Sequence, residues 1–314
     1  MLDMTTMPSC FIGCDVGKTS IAAFDSASGR AATLSNDPDA LRDFAQGLDP
    51  GCLVICEATG GYEAGLLAAL ADAGRAVHRA DARKVKAFIR SLGTLGKSDK
   101  IDARALARYG EERHDRLARW QPREVDRDRL HTLVTARREL VRQRTACHNR
   151  IAAPGAAPVA ERLGRVLAAL DREIAGLDAD IAALVEASQP LAAAVRTLQS
   201  IGGIGATTAA ALTALMPELG SLTRRQAASL AGLAPHPRQS GNADHYRRTR
   251  GGRPEIKQTL FMAALSAARH DPALSTFYKR LRDNGKKPLV ALTALMRKMI
   301  TLANARLRDQ LAST

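Results

Sequence analysis

Four carboxylates stand where catalytic chemistry is most readily done. Asp15 closes the apolar run Phe11-Ile12-Gly13-Cys14 and leads into Val16-Gly17, while Glu57 ends Leu53-Val54-Ile55-Cys56 and leads into Ala58-Thr59-Gly60-Gly61. Acids placed where strands run out occupy the usual ligand position of open α/β sheets. Asp99 and Asp102 lie three apart at the start of a predicted helix, on one face about one turn from each other, flanked by Lys97, Lys100 and Arg104. If the four converge, they repel one another unless cations join them. Mg2+ suits such a site because it prefers hard oxygen ligands and keeps positions open for water and phosphate. A pair of these ions can activate a nucleophile and stabilise the leaving oxygen of a phosphodiester. Taken singly, the same residues have plainer readings: a strand-end Asp is a turn former or a cap, and Asp99 after Ser98 complements a helix dipole.

Other residues carry charge or close backbone approach. Ser240 sits in Pro237-Arg238-Gln239-Ser240-Gly241-Asn242, a loop by composition, where serine alone reads as a turn former. Its neighbourhood supplies Arg238, Arg247, Arg248, Arg250, Arg253 and Lys257 as phosphate-holding candidates. In Ile201-Gly202-Gly203-Ile204-Gly205, Gly203 and Gly205 fit a helix–hairpin–helix turn that brings backbone N–H groups to phosphate. Tight helix packing explains the same glycines equally well. Gly13-Cys14-Asp15-Val16-Gly17-Lys18-Thr19 also fits the phosphate hairpin of actin-like ATPases and sugar kinases, which share such an opening hairpin. A kinase of that build needs a second Gly-rich segment and an adenosine pocket in its C-terminal half, and here that half is basic and helical.

The elements that must position these residues fall into three regions. Residues 9–115 alternate strands with helices: strands at Phe11–Val16, Ser20–Asp25, Cys52–Cys56 and Arg75–Arg79, and helices at Asp39–Gln46, Tyr62–Ala73, Ala82–Ser91 and Asp99–Tyr109. That alternation predicts a mixed sheet covered on both faces. In the second region Leu163, Leu167, Leu170, Ile174, Leu177, Ile181 and Leu184 recur at spacings of four and three, a heptad seam that needs a partner helix. The helix expected over Leu130–Ile151, set off by Pro154 and Pro158, would complete an antiparallel hairpin. It carries Arg137, Arg138, Arg142, Arg144 and Arg150, either a solvated face or a nucleic-acid contact. The third region is mainly helical, with fourteen Lys or Arg against four acids within 238–298.

Composition narrows the function classes. Across 314 residues, 46 Lys and Arg outnumber 32 Asp and Glu, a formal charge of +14 that points to a polyanionic partner, most commonly nucleic acid. No run of about 18 apolar residues spans a bilayer, and Met1–Ser9 lacks the build of a secretory signal, so a cytoplasmic location is expected. Aromatics make up 4% of the chain, so base stacking is not expected to dominate recognition. The five cysteines (Cys10, Cys14, Cys52, Cys56 and Cys147) form no C-x-x-C pair and are expected to be reduced core residues.

With Asp15, Glu57, Asp99 and Asp102 identified, the chain resembles the DEDD transposases, insertion-sequence recombinases of the "one-ten" family related to the Piv and MooV invertases. The matching stretches are Ile12-Gly13-Cys14-Asp15-Val16-Gly17-Lys18, Cys56-Glu57-Ala58-Thr59-Gly60-Gly61-Tyr62 and Lys97-Ser98-Asp99-Lys100-Ile101-Asp102-Ala103. Further matches are Ile201–Gly205, Gly232-Leu233-Ala234-Pro235 leading to Ser240-Gly241, and Arg250-Gly251-Gly252-Arg253-Pro254. One departure is Ile256-Lys257 where the family often has Leu-Arg, which keeps the charge but loses the bidentate fork.

The resemblance implies an α/β plus α architecture. Residues 1–123 would form an RNase H-like (RuvC-like) nuclease domain, 124–192 a helical coiled-coil linker, and 193–314 a C-terminal transposase domain bearing the catalytic serine, Ser240. It also implies a Mg2+-dependent enzyme, with two ions per site, that cuts and rejoins donor and target DNA under the direction of a structured bridge RNA. A homodimer or homotetramer would be the working form. The alternative is an inactive or purely hydrolytic RuvC-like nucleic-acid-binding protein or junction nuclease.

Overall fold

The runs Phe11–Cys14 and Leu53–Cys56 are buried at every position, the pattern of strands covered on both faces. They are the middle of a five-stranded sheet built from β1 (Phe11–Val16), β2 (Ser20–Asp25), β3 (Ala31–Ser35), β4 (Leu53–Glu57) and β5 (Ala76–Ala80). The order is β3-β2-β1-β4-β5. The β1–β2 and β2–β3 pairs are antiparallel, and the β1–β4 and β4–β5 pairs are parallel. Helices α1 (Pro38–Gly47) and α2 (Ala64–Asp72) cover one face, packing with Ile12, Cys14, Val54 and Cys56. Helices α3 (Ala82–Ser91) and α4 (Asp99–Arg113) cover the other, against Phe11, Leu53 and Ile55. The sequence signalled a mixed sheet but not β3, whose residues are mostly exposed and carry no apolar alternation.

The chain divides into two units, 1–122 and 123–314. The computed structural model describes residues 7–93, 99–122, 124–235, 239–240, 243–244 and 249–313, with only the backbone of 99–101, 239–240 and 243–244. In the second unit α5 (Val125–Ile151) and α6 (Ala157–Ala187) form an antiparallel hairpin. Its two arms are fastened by Arg137 to Asp178 at 2.6 and 2.9 Å, Arg144 to Asp171 at 3.6 Å, and the Cys147 thiol to the Leu163 carbonyl at 3.3 Å. Then follow α7 (Gln189–Gln199), α8 (Ala206–Leu215), α9 (Arg224–Leu230), the short strands β6 (Gln239–Ser240) and β7 (Ala243–Asp244), α10 (Pro254–His270), α11 (Pro272–Asp283) and α12 (Pro288–Ala312). Leu130 and Val134 of α5 and Ile181 and Leu184 of α6 pack with Ala210, Ala211 and Ala214 of α8. The hairpin therefore shares one unit with the C-terminal helices, although 124–192 and 193–314 read as separate regions of sequence. None of the described helices is long and apolar enough to cross a membrane.

The cysteines need one correction. Cys10 is joined to Cys52 by a disulfide, their Cα atoms 4.6 Å apart. The parallel register that sets Phe11 beside Leu53 also sets the preceding cysteines side by side, a juxtaposition that a separation of 42 residues does not reveal. Cys14, Cys56 and Cys147 are free and buried, as expected. Burial, with Cys56 and Asp15 adding to it, drives the Cys14 thiol far up, and burial pushes Cys56 up to about 12, so both remain protonated and inert.

A buried acid that the sequence reading missed organises the loop after β4. Glu63, only 1% exposed, accepts from the Thr59 amide (3.1 Å), the Thr59 hydroxyl (3.2 Å) and the Gly61 amide (2.9 Å). Arg79 of β5 adds two bonds, at 2.8 and 2.5 Å. The loop can wrap around one carboxylate because Gly60 and Gly61 take φ of +74° and +110°, a region closed to most side chains. Burial raises the Glu63 pKa, but its backbone hydrogen bonds and Arg79 outweigh that and hold it below the usual range. Arg79→Leu leaves the acid buried without its cation, and thermal or urea unfolding should show a loss on the order of 3 kcal/mol. Because the folded pKa is depressed, the wild-type advantage is full above the ordinary Glu value of about 4.3 and fades as pH falls through the folded one.

Candidate active site

Asp15 and Glu57 come together through strand register. Cys14 pairs with Cys56 across the parallel β1–β4 ladder, so Asp15 and Glu57 are the next residues on adjoining strands. Side chains alternate across a strand, so both acids leave the sheet on the face opposite the two thiols. That face also carries Gly13 and Ile55, on which α4 lies: a Cβ added at Gly13 would overlap the Ala103 carbonyl, and one at Gly110 would overlap the Ile55 side chain. The same Cβ at Gly110 would lie 3.1 Å from Phe11, two residues before Gly13 on β1, so the helix runs opposite to the strand. Its N-terminal end stands at the C-terminal ends of β1 and β4, beside the acids, and the chain after it reaches the strand starts, where His114 meets Phe11 with ring centroids 5.7 Å apart.

Asp102 precedes Ala103 and therefore stands at the same sheet edge. Burial lifts the Glu57 carboxyl above its ordinary range; Lys86 of α3 pulls it down, and Asp102 and Asp81 push it further up. Asp15 and Asp102 are both half-buried. Asp99 opens α4 one turn earlier, and its side chain lies outside the described residues. Among the described residues no three or more His, Cys, Asp and Glu side chains form a group that could hold a metal ion. The positive end of the α4 dipole faces the acids and partly offsets their mutual repulsion. The adjoining loops are tied together by Asn36, whose amide donates to the Gly17 carbonyl at 2.9 Å and the Tyr62 carbonyl at 3.2 Å.

In the other unit, Ser240 pairs with Ala243 in the β6–β7 ladder, a short strand where composition suggested only a loop. Its side chain, together with Arg238, Arg247 and Arg248, lies outside the described residues. The base of the segment that carries it is well defined. Pro235 bridges to Thr249, and the Arg253 amide donates to the Leu230 carbonyl at 2.8 Å. Gly232 and Gly252, with φ of +68° each, cross backbone to backbone: a Cβ at Gly252 would overlap the Gly232 amide, and one at Gly232 would lie 2.5 Å from the Gly251 carbonyl. The two glycine motifs read separately in the sequence are thus the two halves of one clamp.

Several candidate phosphate ligands have partners within the unit. Arg253 is held by Glu218 at 2.8 and 2.5 Å and by the Leu215 carbonyl at 2.8 Å. Lys257 donates to the Thr249 hydroxyl at 3.0 Å, and Arg250 is exposed and also engaged. On α5, Arg137 belongs to the hairpin pair with Asp178. Arg138 reaches α10 at the Glu255 carbonyl, Gln258 and Thr259 (3.2–3.4 Å), and Arg142 pairs with Glu139 at 2.9 Å. Of the two readings of Gly203, packing accounts for what is seen. It has φ +84°, and an added Cβ would overlap the Ala263 carbonyl and lie 2.8 Å from the Ala267 Cβ on α10. Gly205 caps α8 with open space beside it.

Two family models match successive parts of the chain, the first extending from the sheet unit through α5. The DEDD-type transposase family model of the IS110 group matches residues 12–153, and the model described as the transposase IS116/IS110/IS902 family matches residues 195–279. A pilin gene-inverting protein of Moraxella lacunata is 31% identical over 265 residues, 82% of this chain and 80% of that protein. Its counterpart in Moraxella bovis is 29% identical over the same shares. An uncharacterized 43.6 kDa protein of insertion element IS110 from Streptomyces coelicolor is 39% identical over 114 residues, 36% of this chain and 28% of that protein.

Three substitutions test these placements. With its folded pKa raised, Glu57 destabilises the fold once ionised, so Glu57→Gln should raise the melting temperature at pH 7 in chelator. The gain should shrink as pH drops through the raised value. At the clamp, Gly252→Ala meets both an unfavourable φ and the Gly232 backbone and should cost about 2 kcal/mol or more. Gly251→Ala, whose Cβ has open space, should cost only about 1 kcal/mol in the same melts.

Proposed function

This chain belongs to the IS110 family of transposases, and on that premise we propose that it cuts and rejoins DNA with Asp15, Glu57, Asp99 and Asp102 around divalent cations and Ser240 as the nucleophile. The observation that carries the reading is the pairing of Asp15 and Glu57 at one sheet edge, faced by the start of the helix that bears the other two acids. The RNase H-like reading of residues 1–123 draws its support from the mixed sheet order and the acids' place on it.

The donor set fits Mg2+. All four side chains offer hard oxygens, and Glu57, lifted by burial and by Asp102, is an acid whose ionised form Lys86 compensates only in part. Bound there, the ions would supply positive charge to a phosphodiester and to a hydroxyl losing its proton. Asp15 and Glu57 would hold them from the strands, and Asp99 and Asp102 from the helix. Ser240 Oγ would form a bond to a DNA phosphorus while a P–O bond of the strand breaks. The leaving oxygen takes a proton and departs as a free hydroxyl. Attack by the hydroxyl of another strand reverses the step, restoring Ser240 and a phosphodiester without input of nucleotide energy. Such a step would serve the gene inversion named for the Moraxella relatives as well as transposition.

Arg238, Arg247, Arg248, Arg250 and Lys257 are the proposed phosphate holders, with Arg142, Arg144 and the open N-terminus of α8 at Gly205 as outlying contacts. We assign sequence choice to a structured bridge RNA that pairs with donor and target DNA; the support is a chain of charge +14 with 4% aromatic residues. The half-exposed seam residues Leu163, Leu167 and Leu170 of α6 support assembly into a homodimer or homotetramer.

Asp15→Asn should lower recombination on the order of 10^4-fold while leaving DNA and RNA binding equal or slightly tighter. Ser240→Ala should yield no detergent-resistant protein–DNA adduct. An adduct from Ser240→Ala would overturn the serine assignment, and strand cleavage without an adduct would instead identify water as nucleophile and the protein as a junction nuclease.

A further inference from the structure

A cavity of about 1360 Å³ in the second unit lies among α9, α10, α11 and α12. Arg224, Arg225, Lys257, Arg280, Arg297 and Lys298 line it, and among the described residues no carboxylate does. Of these only Lys257 was marked by sequence. Arg224, Arg225 and Arg297 are exposed and form no ion pair among the described residues. A groove that gathers this much positive charge is matched to a polyanion.

Its lining is not only charged. Phe261, 36% exposed, and Leu289, 64% exposed, present apolar surface within the groove. Phe277 lies between two cations, with Lys298 Nζ 4.5 Å and the Arg280 guanidinium 5.5 Å from its ring centroid. Two of the six phenylalanines of the chain therefore line one basic groove, which softens the expectation drawn from low aromatic content. Cations beside accessible aromatic faces suit unpaired bases on a continuous phosphate backbone. A closed duplex shows its base faces to nothing. The groove is also lined by Pro235 and Thr249, the bridged residues from which the Ser240 segment leaves and returns.

We propose that this groove binds single-stranded DNA, with Arg224, Arg225, Arg280, Arg297 and Lys298 along the phosphates and Phe261 against a base, and leads the strand to the Ser240 segment. The proposal extends the recombinase reading by naming where an opened strand is held. Binding requires no catalysis, so the two can fail separately.

The test uses the full chain carrying Asp15→Asn, in chelator, with a fluorescent dT oligomer of about twenty nucleotides read by anisotropy. Arg297→Gln/Lys298→Gln should weaken binding about tenfold and flatten the slope of log affinity against log salt by about 1.4. Phe261→Ala should weaken it about fivefold or more, and Phe261→Tyr should retain it. The exposed Arg165→Gln on α6 serves as a control and should bind normally; melts confirm that each variant is folded. Wild-type affinity in both the double variant and Phe261→Ala overturns the proposal. So does a matching rU oligomer bound tenfold tighter than dT, which would make the groove an RNA site, or equal competition by polyglutamate, which would make it a nonspecific anion surface.

Discussion

Helix α4 can lie on β1 only because residue 13 has no side chain. The helix backbone at Ala103 occupies the space that a Cβ at Gly13 would need, and this close approach determines where the start of α4 comes to rest. With Gly110 fitted over Ile55 at the other end, the helix has two backbone-close anchors and no freedom to slide. Everything at the acidic edge depends on that fit: a shift of one helical turn, about 5.4 Å, would carry Asp102 away from Glu57. The rest of the first unit supports the same arrangement, with the β1–β4 register placing two acids and the Glu63–Arg79 pair shaping the loop beyond one of them.

Gathering like charges is opposed by electrostatics, and the unit answers with means that leave the acids available. Lys86 acts on Glu57 from α3, and the N-terminal amides of α4 contribute partial positive charge. The fully buried acid, Glu63, is treated differently. It is saturated by two amides, a hydroxyl and a guanidinium. Glu63, which shapes a loop, is neutralised within the chain, whereas Glu57 at the sheet edge keeps a raised pKa despite Lys86, the kind of perturbation that makes a position a candidate for function.

Much of this was legible in the sequence because local signals and tertiary demands agreed. The apolar runs ending in Asp15 and Glu57 became β1 and β4, and the heptad leucines became one arm of an antiparallel hairpin. What escaped were properties of juxtaposition. Strand β3 is paired on one side only and mostly exposed, so it needs no apolar pattern. Glu63 is not singled out by the sequence, because the arginine that meets it, Arg79, lies 16 residues away. The Cys10–Cys52 link depends on a register that no single stretch encodes. The arginines of α5 illustrate the limit of reading charge alone: Arg137 and Arg138 spend theirs on Asp178 and on α10. The basic groove was dispersed over four helices and invisible to spacing.

The bridge between Pro235 and Thr249, with the crossed glycines beneath it, ties together the two points where the intervening chain leaves and rejoins the helical core. Its two stems are fixed, so residues added or removed between them would alter reach without disturbing the packing of α8, α10 or α12. Doubling such a span costs only about 0.6 kcal/mol in closure entropy. The segment carrying Ser240, the proposed nucleophile, can therefore behave as an interchangeable cassette, lengthened or shortened to suit differently spaced partners while the scaffold beneath stays the same.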